Sequence, residues 1–279
     1  MKLALISDIH ANLEALQATL NDIAAQSVDR IVCLGDIVGY NTHPSECIAL
    51  VRGAHCLCVA GNHDRAVTRQ ITTETFNDTA ARAAAWTRER LTRDDLAFLA
   101  SLPLKAEIDA ELLVVHGALH PETGCEIVRL DDDESVGFSF EALLTHPSGA
   151  RICAFGHTHH VAIHEFRNGR TTLRRDDDVR LRDDGYYLIN PGTVGEPRGA
   201  DRRASYMILD LGLRTVSVRR VEYDAFAAFA ATRKAGLGRR SEFLPYPVRQ
   251  ALKSGLRALR LDDVVRNRRA ARTRRSFRR

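Results

Sequence analysis

At 279 residues and 44% hydrophobic composition, the chain is long enough to bury a full core in one large domain with an appendage. Its 6 cysteines are too few for a disulfide scaffold and are expected to be reduced core thiols. The net charge of +4 conceals two opposite parts: residues 233–279 hold 16 Lys+Arg against 3 Asp+Glu, or +13, and the preceding 232 residues carry −9.

The first apolar run, LALI at 3–6, is too short for a signal-peptide core, and no stretch approaches the length of a membrane span. A cytoplasmic location without a transmembrane segment is therefore expected. The run passes at once to SDIH, with Asp8 and His10. Leu13, Leu16, Leu20 and Ile23 then recur at helical spacing before the apolar run IVCL at 31–34, so the opening predicts a βαβ unit. The second run leads to LGDIVGY and Asp36. Further runs at 56–60, 112–115 and 152–155 deliver GNHD (Asn62, His63, Asp64), VVHG (His116) and FGHTH (His157, His159). Apolar runs of this length suit strands buried on both faces. All five polar blocks then fall at the carboxyl ends of strands, where open α/β sheets bind their ligands.

Residues 65–102 are alanine-rich and helical in period, with Phe76, Ala80, Ala83, Leu91, Phe98 and Leu99 as buried positions, and predict a helical insertion that caps the site. The acidic run at 131–134 is read as a solvated loop. Past FGHTH, residues 161–166, 186–190, 205–211 and 216–221 read as strands of a second sheet. Between two of them lies INPGTVGEPRG, where Gly192 and Gly195 permit a tight loop and Arg198 is a candidate for meeting a substrate phosphate. The same segment also reads as a structural turn with a surface arginine. His43, His55, His120, His146 and His164 read as surface or packed residues, and His160 as a candidate border of the substrate entrance.

The domain organisation expected is a catalytic domain over 1–232 and a basic C-terminal extension over 233–279, partly helical and partly disordered. Leu252, Leu256 and Leu259 recur there at helical spacing. The extension is either an amphipathic helix docked on the acidic body or an attachment to nucleic acid or another anionic surface.

The residue types point to metal chemistry. Carboxylate and amide oxygens with imidazole, and no cysteine, suit manganese, iron, zinc or nickel, with manganese favoured. In a two-metal site the ions lie about 3.5–4 Å apart, polarise a phosphoryl group and lower the pKa of a shared water, so that hydroxide attacks at neutral pH. Two cations that close need an anionic bridge, and Asp36, alone on its loop, is the candidate.

At these residues the chain resembles the calcineurin-like metallophosphoesterase superfamily, whose pattern reads D-x-H, G-D, G-N-H-[D/E], H and G-H-x-H. The resemblance spans residues 8–159, and INPGTVGEPRG is similar to a segment of the small bacterial phosphodiesterase branch. It implies an α/β fold, a two-sheet β-sandwich flanked by helices. It assigns Asp8, His10 and His159 to one metal and Asn62, His116 and His157 to the other, with Asp36 bridging. His63 would stand near the leaving oxygen, oriented by a hydrogen bond from its imidazole to Asp64. Ala118, Leu119 and His120 depart from the small residue and proline that follow the histidine-glycine in many relatives.

Serine/threonine phosphatases of this superfamily carry an arginine in G-D-x-V-D-R-G, where this chain has Gly39, Tyr40 and Asn41. Without that bidentate clamp a phosphate dianion is less well neutralised, which favours a phosphodiester or nucleotide substrate. A dinucleoside-polyphosphate hydrolase and a phosphomonoesterase or protein phosphatase are the alternatives. Outside enzymology, the fold also serves as an interaction scaffold, and the basic extension admits a nucleic-acid-associated protein.

Overall fold

In β1 (Lys2–Ile6), Leu3 and Leu5 belong to one apolar cluster and Ala4 and Ile6 to another, because successive side chains of a strand point to opposite faces. The computed structural model describes residues 1–120, 124–198 and 200–238. After β1, α1 (Leu13–Ala24) returns the chain to β2 (Arg30–Cys33), which pairs parallel with β1 as expected. Asn12 caps α1, its side chain accepting from the Ala15 amide, and Leu16 and Ile23 are buried against the sheet.

Helix α2 (Pro44–Gly53) opens on a proline and leads to the short strand β3 (Leu57–Cys58). Three helices follow: α3 (Asn62–Thr68), α4 (Asp78–Arg88) and α5 (Arg93–Ser101). Ala80, Ala83, Leu91 and Leu99 are buried there, and Phe76 and Phe98 pack against the same cluster as α1. The chain continues through β4 (Lys105–Ile108), β5 (Leu112–Val115), α6 (Asp133–Leu144), β6 (Ile152–Ala154), β7 (Val161–Arg167) and β8 (Arg170–Arg174). It ends with β9 (Asp178–Arg180), β10 (Tyr186–Pro191), β11 (Ala204–Asp210), β12 (Thr215–Val221) and α7 (Ala225–Lys234).

The strands form two 6-stranded sheets, ordered β3-β2-β1-β11-β12-β9 and β4-β5-β6-β10-β7-β8. Leu3, Leu5, Val32 and Met207 from the first sheet meet Val114, Ile152, Tyr187 and Ile189 from the second in one buried cluster between them. Outside the first sheet, Ala4, Ile6 and Tyr206 pack on α1 and α2; outside the second, Leu113, Cys153 and Leu188 pack on α6. The fold is thus the α/β two-sheet sandwich flanked by helices.

Three sequence expectations change. The four late strands do not make a sheet of their own: β11 pairs antiparallel with β1, and β10 pairs parallel with β6, so they complete both sheets. The acidic run at 131–134 is solvated as expected, but only its first half is loop. Asp132 caps α6, accepting from the Ser135 amide, and Asp133 and Glu134 form its exposed first turn, where a helix dipole favours negative charge. Finally, α7 runs through the boundary expected at 232. Thr232 Oγ1 donates to Asn41 Oδ1 at 2.7 Å, Leu237 is buried and the Gly238 carbonyl accepts from Arg82, so the body extends to Gly238. The rest of the basic extension, with Leu252, Leu256 and Leu259, lies outside the described residues.

Candidate metal centre

Strand ends and strained turns put the polar blocks together. Asp8, His10, Asp36, His157 and His159 all have φ between 50° and 63°. A left-handed backbone costs a residue with a Cβ about 1–3 kcal/mol and persists where the surroundings over-determine it. Here the surroundings are backbone hydrogen bonds that continue β1 and β2 past their ends: Asp8 N to Gly35 O at 3.1 Å, His10 N to Asp36 O at 2.9 Å and Ala11 N to Ile37 O at 2.9 Å. From the other sheet, the amides of Val194 and Gly195 donate to the carbonyls of Ser7 and Asp8 at 2.9 and 3.0 Å. A Cβ on Gly195 would strike the Ile9 carbonyl, and one on Gly61 the Asp36 carboxylate, so both glycines are there for close approach.

Two groups of side chains result. In the first, His10 Nε2 and His159 Nε2 lie 3.1 Å apart, and Asp8 Oδ1 is 3.2 Å from His159 Nε2 and 3.7 Å from His10 Nε2. In the second, His116 Nε2 is 3.1 Å from Asn62 Oδ1, and Asp36, His116 and His157 bring one donor atom each within 4.8 Å of one another. Asp36 Oδ2 stands between the groups, 3.6 Å from His10 Nε2 and 3.3 Å from His116 Nε2. The structure therefore brings together all seven side chains expected as ligands.

Ring tautomers follow from the carbonyls behind them. Val38 O, Leu34 O and Glu196 O lie 3.2, 2.7 and 2.8 Å from Nδ1 of His10, His116 and His159, and a carbonyl can only accept. Each Nδ1 therefore carries a proton, and each Nε2 faces the cluster, the orientation a metal-ligating histidine needs. Asp8 Oδ2 accepts from Ser7 Oγ and the His157 amide, yet Asp8 Oδ1 is buried without a hydrogen-bond partner. Two lone pairs and a bare carboxylate oxygen converge, an arrangement that only a proton or a cation holds stably. The donor set fits a divalent ion.

Protonation agrees. Burial alone would raise the Asp36 carboxyl, but His116, His63 and His10 hold it well below the usual range. Burial likewise opposes Asp8 ionisation, and His159, His10 and His116 outweigh it. Burial pushes His157 and His159 down, so both rings are neutral. Burial also opposes a second proton on His116, but Asp36 and Asp8 raise its pKa to about 10.

His63 and Asp64 sit beside this cluster, but not as the sequence predicts. Asp64 occupies the third position of α3, so its carboxylate bends back onto the backbone, accepting from Gly61 N at 3.0 Å and Val38 N at 3.2 Å. His63 Nδ1 is buried with no partner, so Asp64 does not hold it. Burial pulls the His63 pKa down to about 3 and pushes that of Asp64 up to about 7. His63 also lies within 4.8 Å of donor atoms of His10 and Asp36.

Arg198 reaches the centre: its Nη2 is 2.9 Å from His159 Nε2, donating to the lone pair that faces the cluster. His160 is exposed nearby, its pKa lowered by burial and by Arg198 and Arg129. His120 lies instead against Phe138, with ring centroids 5.9 Å apart. Two residues at the centre were missed from sequence. Tyr40 packs edge-on to His10 and tilted against His63, both 4.7 Å away, and Arg129 donates to the His157 carbonyl at 3.1 Å. Tyr40 carried a signal, an aromatic residue within the block that supplies Asp36; Arg129 carried none.

Comparison with known proteins places these features. The model of the calcineurin-like phosphoesterase superfamily domain matches residues 1–213. An uncharacterized protein of Methanocaldococcus jannaschii is 39% identical over 231 residues, covering 81% of this chain and 90% of that protein. The crystal structure of a metallophosphoesterase from Sphaerobacter thermophilus is 36% identical with a TM-score of 0.70, covering 85% of this chain and 95% of that one. A hypothetical protein from Pyrococcus horikoshii shares the fold at 17% identity and a TM-score of 0.67, with 85% and 94% covered.

Proposed function

The chain belongs to the calcineurin-like phosphoesterase superfamily, a family of hydrolases acting on phosphate esters, and on that premise we propose that it hydrolyses phosphodiesters at a pair of divalent ions. One observation supports the pair above all: a single carboxylate oxygen, Asp36 Oδ2, faces an imidazole Nε2 of each ligand group. Asp8, His10 and His159 would hold one ion and Asn62, His116 and His157 the other, with Asp36 shared and manganese the favoured metal. Such ions supply charge that polarises the phosphoryl group and makes water nucleophilic at neutral pH.

The chain's own groups do the rest. Arg198, 2.9 Å from His159 Nε2, would be free to meet a phosphate oxygen where that nitrogen holds an ion. His63 has no acceptor at Nδ1, so its single proton belongs on Nε2, available to the leaving oxygen as a neutral hydrogen-bond donor. Asp64 fixes the start of α3, and with it Asn62 and His63, through the Gly61 amide. The preference for a diester rests on charge. Tyr40, a neutral group, occupies the place of the phosphatase arginine, and Arg129 is committed to the His157 carbonyl and Asp131, leaving Arg198 to face a monoanion.

A panel of bis(4-nitrophenyl) phosphate, 4-nitrophenyl phosphate, cyclic nucleotides and dinucleoside polyphosphates, assayed with manganese, tests the reading. The diester is expected to exceed the monoester in kcat/KM. Preference for the monoester would return the protein to the phosphomonoesterase reading, preference for dinucleoside polyphosphates to that branch, and no turnover to a scaffold. A separate observation, the +13 carried by residues 233–279, supports attachment of the basic segment to a polyanion.

A further inference from the structure

His63 is held by rings rather than by a hydrogen bond. With Asp64 committed to backbone amides and Nδ1 unpartnered, the imidazole meets Tyr40 at 4.7 Å and 43°, Phe76 at 4.9 Å and 41°, and His10 at 4.9 Å and 77°. Tyr40 has φ 54° and follows Gly39 at φ 101°, so the loop after Asp36 is bent into a conformation costly for a bulky residue, and that bend puts its ring on His63. Asn77 is the cap of α4, its Oδ1 accepting from the Thr79 and Ala80 amides, and Phe76 stands just before it. The inserted segment therefore reaches His63 directly through Phe76.

We propose that Tyr40 and Phe76 are positioning residues that aim His63 at the leaving oxygen by ring packing, the task a carboxylate would otherwise perform. This rests on the phosphodiesterase reading with His63 at the leaving group. A displacement of about 1 Å in a catalytic group costs rate on the order of 10²-fold, and removing the aromatic ring from either face of the imidazole permits such a displacement.

The test compares two diesters of similar shape on the manganese-loaded full chain: bis(4-nitrophenyl) phosphate, whose leaving group departs readily unassisted, and diphenyl phosphate, whose more basic leaving group needs a donor. Phe76→Leu and Tyr40→Leu are expected to lower kcat on diphenyl phosphate about 10–100-fold with KM little changed, and at least about tenfold less on the nitrophenyl diester. Tyr40→Phe, which keeps the ring, is expected to restore the wild-type ratio. His63→Ala should show the same selectivity, and adding Phe76→Leu to it should change the ratio no further. Equal losses on both diesters in the leucine variants, beside a selective His63→Ala, overturn the positioning role and leave the donor role standing. An unselective His63→Ala overturns both.

Discussion

Asp36 performs two tasks through one carboxylate. Its Oδ1 accepts the His63 amide at 2.8 Å, setting the start of α3, while Oδ2 faces both ligand groups. Asp36→Asn keeps the size and removes the charge between two cations, so metal and activity are expected to vanish together. Elemental analysis of the purified variant checks this, and two retained ions with normal turnover refute the bridge. At His63 the same measurement separates roles. His63→Ala is expected to lose roughly 10²–10⁴-fold in turnover on a substrate that needs a donor while keeping its metal; an emptied site would make His63 a ligand. The residues that converge at the centre were legible in the sequence because each follows an apolar run that suits a buried strand. The carboxylate of Asp64 was not, because a residue at the third position of a helix bends back to the cap, a local geometry that a motif does not state. Tyr40 was not legible because its placement depends on two successive positive φ angles.

Among the elements, α3 carries Asn62 and His63 and is braced by α4 and α5, which pack with it into the first core. The brace depends on a capping box at α5, in which Thr92 Oγ1 accepts from Asp95 N and the Asp95 carboxylate accepts from Thr92 N, both at 3.1 Å. Thr92→Ala is expected to cost about 1 kcal/mol, a fall of about 2–4 °C in Tm for a body of this size, with bound metal retained. An unchanged Tm would mean that α5 contributes nothing to the support of α3. Elements with a strong apolar signal, such as β1, β2, β5 and α1, were read from periodicity. Strands β8 and β9 were not, because RTTLR and DVR are almost wholly solvent-facing edges, and such edges are kept polar to avoid pairing with other chains. Nor does a strand's sequence name its partner, which is why β10 and β11 were expected in one sheet and lie in two.

At the scale of the molecule, the two sheets place candidate ligands that follow β1, β2 and β3 in one layer against His116, His157 and His159 of the other, so the cluster exists only when the sandwich is closed. No helix among the described residues is long and apolar enough to cross a membrane. Because the body runs to Gly238, a chain ending there is expected to keep its hydrolysis of small diesters. Under the proposed attachment of the basic segment to a polyanion, the full chain binds RNA, DNA or anionic vesicles with an affinity that falls steeply with salt, for single-stranded RNA by about 0.7 log units per log unit of salt for each phosphate neutralised. Equal binding by both forms in a two-salt titration refutes attachment through the basic segment. The pairing of two ions across Asp36 is tested most directly by stripping the full chain with chelator and titrating it with manganese, following bound metal and hydrolysis of bis(4-nitrophenyl) phosphate together. Activity is expected to rise until two ions are bound per chain and then to level off, whereas full activity at one bound ion, or undiminished hydrolysis by the stripped protein, contradicts a two-ion centre.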